Sequence, residues 1–430
     1  MTTQAQASSI SLSPSQQIAL DMIGHWWEHR ERPFFILNGF AGTGKTTLAE
    51  YFKQFVSGTV LHAAFTGKAA SVMRKKGMFN AQTVHSLVYT LIPYDPEAYR
   101  KLKNEREECL ANGDTSRAST LLKQMKDLAR PEFVLNDESP LRDAKLLIID
   151  EGSMINVEMA KDLLSFEVPI IFLGDPGQLP PIDGQGYFYN QKADITLTEI
   201  HRQAQDNPII RLSMLARGGS KIPKGEMQNP DPSLPPCYVG RFPELPERME
   251  AADQVLTGKN ATRLNLNRGW RLAHGKMEPW PDPDERVICL RNTKVRLPNE
   301  EEDDQPDRIL QIYNGEMFKV LQNQPTAFSQ KLLLEAENGE QFPAEATNAY
   351  FQEYTQPGIV KSMTQIDLAQ FTQFDYAYAI TVHKSQGSQW QNVLFYDDGL
   401  FQGWKDEDRK KLVYTAITRA SDSICILEKN

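Results

Sequence analysis

Phe34-Phe35-Ile36-Leu37-Asn38-Gly39-Phe40-Ala41-Gly42-Thr43-Gly44-Lys45-Thr46-Thr47 runs from an apolar strand through a loop of the form G-x-x-x-x-G-K-T into a helix-like stretch that reaches Phe55. Strand, loop and helix in that order are the setting in which this pattern binds phosphate. The glycines let backbone N–H groups wrap an anion, and the helix N-terminus adds positive dipole character. Gly42, Thr43, Gly44, Lys45, Thr46 and Thr47 are therefore the candidate nucleotide-binding residues. Lys45 is placed to reach the β- and γ-phosphates, and the Thr46 hydroxyl to ligate Mg²⁺. The loop establishes a nucleotide but not what the nucleotide drives.

Leu147-Ile148-Ile149-Asp150-Glu151 supplies a second half of such a site: an apolar strand that ends in two adjacent carboxylates. Asp150 is the candidate Mg²⁺ ligand, and Glu151 the candidate base that polarises an attacking water. A pair of acids after apolar residues is also what a surface turn looks like, and only the phosphate loop upstream favours the catalytic reading. Phosphoryl transfer spreads charge over the γ-oxygens, so an arginine reaching across a cleft is a further requirement. Arg202 in Glu199-Ile200-His201-Arg202 and Arg419 in Thr415-Ala416-Ile417-Thr418-Arg419 are the candidates.

A chain of 430 residues is expected to form more than one domain, since single cores rarely grow beyond about 250–300 residues. Its four cysteines are scattered with no C-x-x-C pair, which argues against zinc or disulfide frameworks and for a reducing, cytoplasmic setting. The polar N-terminus does not read as a signal peptide, and no apolar run approaches a membrane span, so no membrane partner is expected. Net charge is −9, a mild argument against nucleic acid that a local basic groove would overcome. The block Glu300-Glu301-Glu302-Asp303-Asp304 reads as a solvated loop.

Along the chain, 1–89 and 141–200 alternate apolar strands with helix patterns, as a parallel α/β domain does. Residues 90–140 are charged and helix-prone, and read as an insertion. A second α/β domain is expected over 201–280 and 371–430, with one strand at 376–380 and a Pro-rich extended connection at 229–246. Between its halves, 281–370 has short strands and reads as a small inserted β-barrel. Its clearest signal is a hairpin, Ile309–Tyr313 and Glu316–Val320 about an Asn314-Gly315 turn.

These residues and their order resemble the superfamily 1 helicases, in particular the 5′→3′ branch (superfamily 1B) that contains RecD and the phage Dda helicase. The strings that carry the resemblance run through nearly the whole chain: Leu12-Ser13-Pro14-Ser15-Gln16, the loop, Phe65-Thr66-Gly67-Lys68, Thr83-Val84-His85-Ser86, Asp150-Glu151-Gly152-Ser153, Gly174-Asp175-Pro176-Gly177-Gln178-Leu179-Pro180-Pro181, Thr381-Val382-His383-Lys384-Ser385-Gln386-Gly387 and Tyr414-Thr415-Ala416-Ile417-Thr418-Arg419. The resemblance implies two RecA-like parallel-sheet P-loop NTPase domains with ATP and Mg²⁺ between them.

It assigns Gln16 to the adenine, Gln178 to sensing the γ-phosphate, and Arg202 and Arg419 to completing the site from the second domain. It assigns Phe65, Thr66, Lys68, Thr83 and His85 of the first domain, and Thr381, His383, Lys384 and Ser385 of the second, to a single DNA strand. Such hydroxyls and amines hold phosphates without reading sequence. Implied partners are single-stranded DNA and its junctions with duplex, with replication or recombination proteins as further candidates. The implied setting is a prokaryotic or phage-infected cell. Two points depart from the pattern or escape it. Gly152 stands where relatives often carry a larger residue, and 90–140 matches nothing, although Phe133 in it is a candidate aromatic wedge. A nucleic-acid-stimulated ATPase that clamps or translocates on DNA without separating its strands stays open as an alternative.

Overall fold

The computed structural model describes residues 12–92, 95–128, 132–152, 155–180, 186–199, 206–297, 308–399 and 405–429. The acidic block at 300–304 lies outside them. Six parallel strands form a first sheet in the order Gln82–Thr83, Val60–Ala64, Leu146–Asp150, Ile170–Gly174, Phe34–Gly39, Ile195–Leu197. Its central strands are largely apolar because both faces are covered. Ile36, Leu147, Ile149 and Phe172 pack into one core, while Phe35, Leu37, Ile148 and Leu173 pack into another behind it. The register pairs Asn38 with Gly174 and Asp150 with Leu173, so Gly39, Asp150 and Gly174 all end at one carboxyl edge. That edge is where α/β sheets bind ligands.

A second sheet has the order Ala379–Thr381, Gln254–Thr257, Trp390–Asp397, Ala420–Glu428, Cys237–Arg241, Gly225–Met227, parallel except for its last, antiparallel strand. Helices Pro208–Gly218 and Asp406–Ile417 bury one of its faces. Two insertions depart from this parallel plan. In the first, strands Tyr89–Ile92 and Glu132–Leu135 pair antiparallel at the base of the helices Pro96–Ala111 and Thr115–Leu128. The second is a five-stranded antiparallel sheet, Gln341–Thr347, Ser329–Ala336, Met317–Pro325, Arg286–Cys289, Phe374–Tyr376, whose edges meet at one bridge between Ala346 and Thr372. A two-stranded ribbon, Thr293–Leu297 with Arg308–Ile312, accompanies it.

Three local expectations need correction. Asn314-Gly315 does turn the chain, with Gly315 at φ +92° and Glu316 N–H bonded to Tyr313 C=O at 3.1 Å, but the flanking strands do not pair with each other. Arg308–Ile312 pairs with Thr293–Leu297, and Met317–Pro325 pairs with Arg286–Cys289. The reason is that Gly315 N–H bonds Cys289 C=O at 2.8 Å, which hands the outgoing strand to a different neighbour. The Pro-rich segment is not extended connection throughout. Between Pro236 and Pro243 lies a proline-free stretch, and Cys237–Arg241 uses it to enter the second sheet. The run 376–380 divides at Ala377: Tyr376 ends a strand of the antiparallel sheet, and Ala379 begins one of the parallel sheet. Hydrophobic period does not mark the break, because both sheets bury this run.

A buried ion pair sets the second insertion on its domain. Arg271, on helix Asn260–Ala273, donates through Nε to Glu285 Oε1 at 2.9 Å, and Glu285 is fully buried. Arg263 on the same helix pairs Asp375 at 2.6 Å, a second internal tie. Arg271→Leu strands the Glu285 carboxylate and is expected to cost ~3–5 kcal/mol in chemical denaturation, much of it recovered by Arg271→Leu/Glu285→Leu. A single variant as stable as wild type would remove the pair from the list of determinants.

Candidate functional site

The phosphate loop bends through Gly42 and Gly44, both at φ +78°, a conformation that a Cβ disfavours. Lys45 Nζ donates back to the carbonyls of Gly39 at 2.5 Å and Phe40 at 3.3 Å, and so its amine lies over the loop it serves. Thr46 Oγ1 donates to Asp150 Oδ2 at 2.9 Å, and Glu151 N–H caps Asp150 Oδ1 at 2.8 Å. Burial pushes the Asp150 carboxyl above its usual range and the adjacent Glu151 adds to this, while Lys45 and Thr46 oppose it. Glu151 sits at φ +52°, a strained backbone for a non-glycine, and the turn carries it into the cleft. Gln16 caps its own helix through Ser13 and donates from Nε2 to Thr43 C=O at 3.1 Å, which fastens that helix to the loop; Thr47 lies exposed on the first helical turn.

The second domain closes over this edge. Arg419 is 4% exposed. Its guanidinium holds the carbonyls of Thr415 and Ser388, and its Nη1 comes within 3.5 Å of Glu151 Oε1. Lys45, Thr46, Asp150, Glu151, Gln178 and Arg419 line one cavity of about 240 Å³ between the domains. Arg202 lies outside the described residues. Residues that sequence reasoning passed over also cross here. Tyr414 Oη accepts from Ala41 N–H and donates to Asp175 Oδ2, each at 2.9 Å. Thr415 Oγ1 accepts from Leu179 N–H at 3.0 Å. Both residues stood inside a quoted string, but a tyrosine on a helix carries no signal of what it will face.

The residues expected on a nucleic-acid strand converge from both domains, though not all at the surface. Thr66 caps the helix Gly67–Lys75, and Phe65 packs against the core behind it. Gly387 opposes that cap so closely that a Cβ there would lie 2.6 Å from Ala69 Cβ and 2.9 Å from Thr66 Oγ1. Lys68 pairs Glu337 of the antiparallel insertion at 2.8 Å, and the Lys384 amine donates to Asn314 of the same insertion. Burial holds Lys384 down to about 8. Thr83 and Ser385 are buried, with hydroxyls bonded into their own turns, and Thr381 Oγ1 accepts Lys384 N–H. Burial lowers both His85 and His383.

His85 meets the candidate wedge Phe133 edge-on at 4.7 Å; that ring is half exposed on the ribbon of the first insertion. Between Thr83, Ser86 and the second, antiparallel insertion runs a groove of about 800 Å³ that Arg291, Lys294 and Tyr313 line. None of these three carried a functional signal in the sequence, since the hairpin string that contains Tyr313 spoke only of a turn. Trp270, Trp280 and Trp390 pack against cores.

Residues 11–228 match the AAA domain family, and residues 376–427 match the UvrD-like helicase C-terminal domain. The chain is 24% identical over 420 residues to the ATP-dependent RecD2 DNA helicase of Deinococcus radiodurans, covering 96% of this chain and 48% of that protein. It is 28% identical over 208 residues to the RecBCD enzyme subunit RecD of Haemophilus influenzae, covering 46% of this chain and 29% of that one. The chain thus spans about half the length, or less, of these curated relatives. A solved structure of Pif1 helicases unwinding forked DNA superposes with a TM-score of 0.50 at 17% identity, over 97% of this chain and 92% of that one. At that identity the likeness speaks to the fold, two RecA-like domains.

Gly152, the departure noted in the sequence, has a steric cause. A Cβ there would lie 2.5 Å from the Phe172 ring and 3.0 Å from Ile149 Cγ2. Phe172 fills the room that a larger residue would need. Gly152→Ala is expected to lose ~1–3 kcal/mol of stability by overpacking, with partial rescue by Phe172→Leu in thermal melts. No rescue would point to a backbone cause instead.

Proposed function

Because the chain belongs to the AAA-domain family and also matches the UvrD-like helicase C-terminal domain, we propose that it is a superfamily 1B, ATP-dependent DNA helicase that moves 5′→3′ along one strand and separates the duplex ahead of it. The observation that carries this reading is the composite cleft. Lys45, Thr46, Asp150 and Glu151 of one domain face Arg419 of the other across a single cavity. Beside it, Thr66 and Gly387 bring the two strand-binding segments into contact.

Lys45 exchanges its two carbonyl partners for β- and γ-phosphate oxygens. Thr46 and Asp150 suit a Mg²⁺ ion, because a hydroxyl bonded to a carboxylate that burial and a second carboxylate keep short of compensation is a fit place for a cation that brings most of its other oxygens from phosphate and water. When bound, the ion neutralises charge on the β- and γ-oxygens. Glu151 orients the water that attacks the γ-phosphorus; the bond to the bridging oxygen breaks, and ADP and inorganic phosphate result. Arg419 and Arg202 offset the charge that spreads over the γ-oxygens, and Gln178 reads the γ-phosphate from the Gly174–Pro180 loop. Phe65, Thr66, Lys68, Thr83 and His85 on one side, and Thr381, His383, Lys384 and Ser385 on the other, hold the strand. Closing and reopening the cleft moves one hold relative to the other. A prokaryotic or phage-infected cytoplasm, with replication or recombination proteins nearby, is the setting this function fits.

Duplexes that carry a 5′ or a 3′ single-stranded tail test the proposal. Displacement is expected from the 5′ tail alone and only with ATP, and Lys45→Ala should abolish both hydrolysis and displacement while remaining folded. Preference for the 3′ tail would reverse the polarity; hydrolysis without displacement would leave a clamp. Lys384 gives a pH signature. Its ammonium is held down to about 8, so it is charged below that value and neutral above it. Oligonucleotide affinity at fixed ionic strength is expected to weaken between about pH 7 and pH 9, and Lys384→Met should flatten the profile. An equal slope in the variant would remove Lys384 from the strand.

A further inference from the structure

We infer that Tyr414 is a positioning residue that ties the phosphate loop to the Gly174–Pro180 loop across the domain junction, so that turnover follows the second domain's hold on the strand. The inference rests on the motor reading above and adds to it the part through which the two halves communicate. Tyr414 stands on helix Asp406–Ile417 of the second domain and is 1% exposed. Its two hydrogen-bond partners both belong to the first domain: Ala41 N–H in the phosphate loop and the Asp175 carboxylate, each at 2.9 Å. A phenol has one proton to give, and Asp175 takes it while Ala41 donates to the oxygen. Both bonds exist together only with the two domains apposed. Asp175 is itself 7% exposed and also accepts Gly177 N–H at 3.0 Å, so no solvent stands ready to replace the phenol.

The ring acts with the hydroxyl. A Cβ on Gly177 would lie 2.8 Å from it, so the turn before Gln178 is pressed flat against Tyr414. Phe40 of the phosphate loop meets the same ring edge-on at 6.4 Å, and Arg217 of the second domain covers Phe40 at 3.5 Å. Two further bonds fix the far side of Gln178. Thr415 Oγ1 accepts Leu179 N–H at 3.0 Å, and Gln386 Nε2 donates to Leu179 C=O at 3.2 Å. Gln386 is two positions beyond Lys384. Gln178 is thus bracketed by second-domain groups at Asp175 and Leu179, one of which adjoins the proposed strand contacts. A shift of the 381–388 segment reaches Gln178 through Leu179, and a shift of the helix reaches Ala41 and Asp175 through Tyr414.

Tyr414→Phe keeps the ring and removes only the hydroxyl, leaving a buried N–H and a buried carboxylate oxygen each short of a partner. At saturating oligothymidylate the variant's kcat for ATP hydrolysis is expected to fall ~10-fold or more. KM for ATP and affinity for ADP should stay within about twofold, because a positioning role acts on turnover rather than on ground-state binding. In a cycle with Asp175→Asn the two losses should be non-additive, as for groups that act as one unit. A kcat within about twofold of wild type overturns the inference. So does a joint fall of kcat, ADP affinity and melting temperature, which is the signature of packing alone, and so does strict additivity. Should Tyr414→Phe fail to fold, Thr415→Val cuts the parallel link to Leu179 and is expected to give the same kcat-only loss; unchanged turnover there overturns the inference as well. A wild type without strand-stimulated hydrolysis sinks the motor reading and this inference with it. Normal stimulation with an unaffected Tyr414→Phe sinks this inference alone.

Discussion

Three carboxylates, Asp150, Glu151 and Asp175, crowd the carboxyl edge of the first sheet, and the rest of the molecule is arranged around that concentration of charge. Two parallel strands end there in register, so the acids cannot separate. Burial raises both Asp150 and Asp175, and the charge of Lys45 opposes that rise at each. The first domain offers Lys45 and hydrogen bonds from Thr46 and two backbone amides. What it lacks arrives from the second domain as the Arg419 guanidinium and the Tyr414 hydroxyl. The compensation of that edge is therefore complete only where both domains contribute to it.

The same dependence appears on the other face. Lys68 is paired with Glu337 and the Lys384 amine with Asn314, both partners on the antiparallel insertion. Tyr313 of that insertion rests where a Cβ on Gly67 would have to be, 2.3 Å from its own Cβ, and Arg74 lies 4.9 Å over its ring. The insertion therefore sits at the seam between the domains rather than on the flank of one. A net charge of −9 is no obstacle to a strand there, because cations gathered into a groove act over about a Debye length and acids on outer faces do not.

The quoted strings were legible because each is a short backbone device: a glycine loop, a strand that ends in acids, a capped helix start. Such devices are local, and their residues follow one another in sequence. The helices at 96–128 were legible for a related reason, since helical patterning and an N-terminal proline act within one element. The hairpin about Asn314-Gly315 illustrates the limit. The turn formed as its residues require, yet Cys289, far back in the chain, took the bond that decided which strand would pair. Likewise Cys237–Arg241 was hidden by prolines on either side, although no proline interrupts it.

By itself, then, the sequence determined two α/β halves and the family to which the order of their segments belongs. Those are consequences of local geometry and of hydrophobic period, both written in neighbouring residues. Only the tertiary structure decided that Gly152 must stay small beneath Phe172, that Ser385 and Thr83 turn their hydroxyls inward, and that Tyr414 reaches two first-domain loops at once. Each of these depends on which distant surfaces meet, and a contact between residues hundreds of positions apart leaves no mark on the chemistry of either one alone.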